Sequence, residues 1–351
     1  MNWEENVRRV VPYVPGEQPK DTNVIKLNTN ENPYPPAPGV EKLKQEFSCD
    51  RLRLYPDPEA TVLVDAIAKR YGVKPAQVFV GVGSDDVLAM AFLTFFNGEK
   101  PILFPDITYS FYDVWADLYR IPYKTCPLDE NFRMNIRDYE QENGGIIFPN
   151  PNAPTGVLET VENIETIVKN NPDVVVIVDE AYIDFGGTSV LPLVEKYENL
   201  LVVQTFSKSR SMAGMRIGFA IGSKKLISYM NDVKFSFNSY TMDWFTQILG
   251  AEAVRDEAYF KKCTDKIVEV REWTKEELKK LQFTFEDSRA NFIFAKHATL
   301  SGDTIFKALK ERKIFVRHWN KERISDYLRI SIGTKEQMQA LIDAQKEITQ
   351  M

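Results

Sequence analysis

The chain has 351 residues, 44% apolar and 27% charged, enough to bury a large core in about two domains. A net charge of −6 and a pI near 5.3 exclude nucleic-acid binding through a generally basic surface. Three scattered cysteines (Cys49, Cys126, Cys263) make a poor disulfide framework, two histidines are too few for a histidine-based metal site, and no apolar run is long enough to span a membrane. The acidic opening Met1-Asn2-Trp3-Glu4-Glu5 is unlike a signal peptide, so a cytoplasmic protein without bound metal is expected.

Residues 1–35 carry five prolines, with Pro36 and Pro38 just beyond, too many for helices or central strands, and predict an arm lying across another surface. From 36 to 240, helical stretches alternate with short apolar runs: Val78-Phe79-Val80, Ile102-Leu103-Phe104, Ile146-Ile147-Phe148, Val174 to Val178 and Leu200 to Val203. Such runs read as buried strands of a mainly parallel sheet covered by helices, an α/β domain. Long amphipathic helices follow over 242–281. Strand-like Asn291 to Phe294, Ile314 to Val316 and Tyr327 to Ile330 then alternate with helices at 303–312 and 335–349. Residues 241–351 are therefore expected to form a smaller α+β domain.

Polar, unusual sequence follows each of the five runs: Gly81 to Asp85, Pro105 to Tyr109, Pro149 to Gly156, Asp179 to Tyr182, and Thr205 to Lys208. Ligands of open α/β sheets bind beyond the carboxyl ends of the strands, so parallel strands would bring all five clusters to one crevice. Gly83-Ser84-Asp85 opens a helix whose free amides can hold a phosphate, although an ordinary capped helix explains that segment alone. Asp179 ends an apolar strand, where a carboxylate is costly without a partner. Tyr182 stands three residues on, Lys208 29 residues after Asp179, and Arg216 eight after Lys208, between Gly214 and Gly218. Singly these are a helix cap, a core tyrosine, a solvated lysine and a surface ion pair. In this order they suit pyridoxal phosphate: an amine for its aldehyde, an acid for its pyridine nitrogen, a guanidinium for its phosphate.

The chain resembles the fold-type-I, aspartate-aminotransferase-like family, and within it the histidinol-phosphate aminotransferases. The likeness is carried by Pro12 to Pro19, Leu27 to Pro33, Tyr55-Pro56-Asp57-Pro58, the Asp179 and Lys208 segments, and Leu328 to Thr334. It runs along essentially the whole chain and implies a seven-stranded, mainly parallel sheet. It also implies roles. Lys208 would take the cofactor's aldehyde and later carry a proton; Asp179 would pair with the pyridine nitrogen, and Tyr182 with the phenolic oxygen. Tyr109 would stack on the ring. Ser84, the Gly83 and Asp85 amides, Thr205, Ser207 and Arg216 would hold the phosphate. Tyr55 would reach the partner's phosphate across a homodimer interface. Arg329 would clamp the amino acid's carboxylate, Arg317 and Tyr13 would face the substrate's phosphate end, and Asn30 would join them in binding substrate. Relatives place Asn directly before Pro-Thr-Gly to bond the phenolic oxygen; here that place is Ala153, and Asn152 stands one position early. The tight turn makes Pro154 a candidate for a cis bond.

The resemblance implies two half reactions, glutamate giving its amino group to the cofactor and the cofactor passing it to imidazole-acetol phosphate. Three alternatives stay open on the same scaffold: a threonine-phosphate decarboxylase-like enzyme, an aromatic-amino-acid transaminase, and a non-catalytic cofactor-binding regulator.

Overall fold

The computed structural model describes residues 2–21 and 23–349. The arm contributes one short strand, β1 (Ile25–Lys26). The large sheet is built from β2 (Val78–Gly81), β3 (Ile102–Pro105), β4 (Tyr123–Cys126), β5 (Ile146–Pro149), β6 (Val176–Asp179), β7 (Leu200–Thr205) and β8 (Gly218–Gly222). Its strand order is β2-β8-β7-β6-β5-β3-β4. Neighbours pair in parallel from β7 through β4, whereas β8 is antiparallel to both β7 and β2. The sheet is thus seven-stranded and mainly parallel, with one reversed strand.

The sequence explains the central strands. β2, β3, β5, β6, β7 and β8 are buried at every position, as Val, Ile, Leu and Phe runs covered on both faces should be. One apolar layer gathers Leu103, Phe148, Val178 and Val202; the other face gathers Phe104, Ile147, Ile177 and Val203. This alternation is the two-residue period of strands. Two strands were not among the expected runs. β4 buries only Cys126 and lies at an edge, while β8 is buried throughout but bounded by glycines.

The C-terminal layer is a four-stranded antiparallel sheet of β9 (Phe283–Phe285), β10 (Phe292–His297), β12 (Arg317–His318) and β13 (Tyr327–Ser331), in the order β12-β13-β10-β9. β11 (Ile314–Phe315) instead pairs in parallel with β1, so the arm is stitched to this layer. Helices Glu257–Lys280, Gly302–Glu311 and Lys335–Thr349 bury Ile267, Ile305, Leu309, Leu341 and Ile342 against it. The helix Trp244–Arg255 packs on Pro38–Glu46 and Thr61–Tyr71, sending Leu249 and Val254 into the core of the large sheet instead. Among the described residues no helix is long and apolar enough to cross a membrane, and no group of three or more His, Cys, Asp or Glu could hold a metal ion. All three cysteines are free.

Candidate active site

The carboxyl ends of β2, β3, β5, β6 and β7 do converge. They border a cavity of about 570 Å³ that receives residues from each following segment, including Ser84, Tyr109, Ala153, Asp179 and Lys208. β8 runs the other way, so it begins where its neighbours end, and Arg216, two residues before it, also reaches the cavity.

Asp179 closes β6, 4% exposed. Its Oδ1 accepts the Ala181 amide (3.1 Å) and its Oδ2 the Tyr112 hydroxyl (3.2 Å). Burial pushes its carboxyl up to about 7 despite those donors. Two neutral donors do not satisfy a buried carboxylate as a cation would. Lys208, at the end of the loop after β7, does not serve as that cation: its Nζ donates to the Thr29 carbonyl (3.1 Å) and lies 5.8 Å from the Tyr182 ring centre. Asn32 steadies the lysine's backbone by donating to the Lys208 and Ser209 carbonyls (3.0 and 3.2 Å).

A cup suited to an anion lies opposite. Gly83 has φ +90°, and a Cβ there would sit 2.4 Å from Arg216 Nη2. A Cβ on Gly218 would strike the Gly83 and Ser84 backbones at 2.3 Å, so both glycines permit a close approach no other residue allows. The helix Ser84–Phe95 starts here without a side-chain cap, leaving its first amides available. Thr205 Oγ1 donates to Ser207 Oγ (3.0 Å), and Arg216 Nη1 reaches the same oxygen at 3.5 Å. The Asp85 carboxylate accepts from Arg216 Nη2 (3.2 Å) and from the Tyr109 hydroxyl (2.8 Å). Burial first, then Asp85, lifts the Tyr109 hydroxyl well above its ordinary range, so it stays a donor.

The other wall is cationic. Arg317 and Arg329 face each other directly across β12 and β13, and both guanidinia lie over Trp319, 5.3 and 5.2 Å from its ring centre. Like charges directly opposite are destabilising unless an anion joins them. Arg317 is held by the Val14 and Pro15 carbonyls (3.2 and 3.3 Å), and Arg329 Nη2 by the Asn28 carbonyl (3.0 Å). Arg329 Nε is buried without a partner, and burial lowers this guanidinium from its ordinary value. Tyr13 enters the cavity stacked on Phe111 at 4.1 Å.

Two expected residues lie outside the cavity, and a third borders it with its side chain already engaged. Asn152 does not reach the cavity. Its Nδ2 is spent on the Ile107 carbonyl (2.9 Å) and Thr155 Oγ1 (3.0 Å), and Ala153 and Pro154 line the wall instead. The turn that carries it, with cis bonds at Asn150–Pro151 and Ala153–Pro154, consumes its amide. Tyr55 is 79% exposed, packed on Tyr240 and outside the cavity of this chain. Asn30 borders the cavity but is 1% exposed, with its side chain committed to Tyr182 and Ser331. Sequence reasoning passed over Tyr112, Trp319 and the Arg323–Asp106 pair (2.9 Å) at the rim. Tyr112 follows Tyr109 by three residues and Trp319 follows Arg317 by two, the only local signals available.

Pyridoxal phosphate fits this arrangement: an anion cup with no room for a Cβ, a buried carboxyl lacking a cation, and an amine within the same cavity. Fold and site define a fold-type-I transferase, and the chain belongs to the class I and II aminotransferases, whose family model matches residues 22–344. Its similarity is to histidinol-phosphate aminotransferases in particular. That of Lactococcus lactis subsp. cremoris (strain MG1363) is 53% identical, covering 99% of this chain and 98% of the relative. That of Clostridium botulinum (strain Okra / Type B1) is 51% identical over the same shares. Among solved structures, the histidinol-phosphate aminotransferase from Clostridium acetobutylicum has the same fold, with a TM-score of 0.86 at 22% identity over 93% of this chain and 99% of that one. That from Sinorhizobium meliloti, in complex with pyridoxal-5'-phosphate, gives 0.85 at 21% identity over 93% and 91%.

Proposed function

We propose that this chain binds pyridoxal phosphate and moves an amino group between glutamate or 2-oxoglutarate and histidinol phosphate or imidazole-acetol phosphate. The observation that carries the reading is the facing Arg317–Arg329 pair on the wall opposite an anion cup. One end of the cavity suits a cofactor phosphate; the other suits a substrate that brings a carboxylate in one half reaction and a phosphate in the other. Relatives at 51–53% identity named for histidinol phosphate support that choice over the decarboxylase and aromatic alternatives.

The cofactor, when bound, supplies an electron sink for the substrate carbon that loses its proton. Every other contribution belongs to the chain. Asp179 keeps the pyridine nitrogen protonated by pairing with it. Tyr182 donates to the phenolic oxygen, and Tyr109 covers one ring face. Ser84, Ser207, Thr205, Arg216 and the amides of Gly83 and Asp85 would hold the phosphate. The Lys208 amine anchors the cofactor and then moves the proton at the substrate's Cα. Arg329 orients the carboxylate by a two-point bond, while Arg317 and Tyr13 meet the phosphate end. A cytoplasmic homodimer is the working assembly in this reading. Tyr55, Leu54 and Tyr240, all about half or more exposed in one chain, would be covered there, with Tyr55 serving the partner's site.

The test is amino-acceptor preference with glutamate as donor. Imidazole-acetol phosphate should be favoured over phenylpyruvate, and the purified protein should be yellow with absorbance that responds to glutamate. Lys208→Ala should abolish turnover; near-normal turnover would refute the role of Lys208, and preference for phenylpyruvate would refute the substrate assignment.

A further inference from the structure

Asn30 has all its polar groups engaged. Its backbone N–H donates to Ser331 Oγ (2.9 Å), and Ser331 Oγ donates to Asn30 Oδ1 (2.8 Å). Ser331 Oγ accepts the backbone hydrogen and gives its one proton to Oδ1, and the amide is so turned that its NH2 faces away from the serine. Nδ2 is thereby turned to Tyr182 Oη at 3.0 Å. The Asn30 carbonyl accepts from Asn291 Nδ2 (2.9 Å). The residue is also held at φ +56°, the left-handed region that asparagine tolerates better than most side chains. Such strain persists where the surroundings over-determine it.

Tyr182 has one proton to give. Since its oxygen accepts from Asn30, that proton is free to point away from Asn30, and the cavity lies on the open side of the ring. The same strut reaches the cationic wall. Ser331 is two residues beyond Arg329 on β13, and Arg329 Nη2 holds the carbonyl of Asn28, two residues before Asn30.

We propose that Asn30 is a positioning residue: it sets the polarity of the Tyr182 hydroxyl so that the phenol donates into the cavity, toward the cofactor's phenolic oxygen, and it ties that donor to the arginine-bearing strand. This deepens the cofactor reading and rests on it. A substrate contact for the Asn30 side chain is replaced by a role exerted through Tyr182.

The readout is the pH dependence of the visible absorbance of the purified, cofactor-loaded protein. A donor on the phenolic oxygen draws charge from it and loosens the proton which that oxygen shares with the Lys208-linked nitrogen. Loss of the donor therefore raises the midpoint pH. Tyr182→Phe should raise it by about one pH unit, the size of one lost hydrogen bond to a charged group. Asn30→Asp replaces the amide donor with an acceptor that turns the Tyr182 O–H away from the cavity, and should reproduce at least half of that rise. Asn30→Gly keeps the left-handed backbone without the side chain and should give a smaller rise in the same direction. Its retained visible absorbance shows that the fold survives if the Asp variant does not load.

Wild-type midpoints in both Asn30 variants, beside a raised midpoint in Tyr182→Phe, would overturn the proposal. An unmoved midpoint in Tyr182→Phe would remove the donor role of Tyr182, and the proposal with it. Absence of any visible band in the wild-type protein would instead refute the cofactor reading beneath both.

Discussion

The buried carboxyl of Asp179 makes stability depend on pH in a calculable way. Burial raises it to about 7 from 3.8, countered in part by the Ala181 amide and the Tyr112 hydroxyl. Below about pH 4 the group is protonated in both folded and unfolded chains, and its full contribution to stability is present. As pH rises, the unfolded chain ionises freely while the folded one resists, so stability is lost until the folded group ionises near 7. At about 1.4 kcal/mol per pH unit the whole loss is about 4 kcal/mol, of which about 2–3 kcal/mol falls between pH 5 and pH 8. Asp179→Asn is neutral throughout and can still accept the Ala181 amide. Its own structural effect is the same at each pH, and Glu180, also raised to about 7 by burial, is common to both proteins and cancels. Urea unfolding of the cofactor-stripped proteins should therefore show the variant gaining about 2–3 kcal/mol on the wild type between pH 5 and pH 8. An unchanged difference across that range would refute the assignment of a cation-seeking carboxyl at Asp179. With cofactor loaded the ranking should reverse, because only the carboxylate can pair with a pyridinium.

Two further perturbations separate the other parts of the site. Arg329→Lys exchanges a planar fork for a point charge, which removes at least one charge-assisted hydrogen bond worth about 1.5–3 kcal/mol; kcat/KM for glutamate should fall about 10–150-fold, and an unchanged value would exclude a two-point carboxylate clamp. Mixing Lys208→Ala chains with Tyr55→Ala chains should create one site in each hybrid dimer with both native residues, and so restore partial cofactor affinity. Absence of rescue despite demonstrated subunit exchange would count against Tyr55 acting across the interface.

Much of the site was legible in the sequence. Asp179, Tyr182, Lys208 and Arg216 stand in a fixed order at strand ends, and strand ends are readable because Val, Ile and Leu runs announce burial while Gly and polar clusters announce where it stops. What escaped was of a different kind. β4 is an edge strand with polar residues and lacks the apolar signature, while the apolar Phe219-Ala220-Ile221 of β8 lies between glycines that read as loop. Asn152 looked available because its spacing nearly matched, but its amide is consumed by Ile107 and Thr155. Asn30 looked like a substrate contact for want of any sign that Ser331, 301 residues away, would claim it.

Taken alone, the amino-acid order determined most of the buried strands of the large sheet and which reactive side chains wait near their ends. These follow from local periodicity and from the conformational limits of glycine and proline, which need no knowledge of distant neighbours. Tertiary structure decided which donors meet which acceptors: Tyr112 on Asp179, Thr29 on Lys208, Arg317 opposite Arg329, Asn30 beneath Tyr182. The reason is physical. A hydrogen bond is made or lost within a few tenths of an ångström, and that margin is set by strand register and packing across the whole molecule.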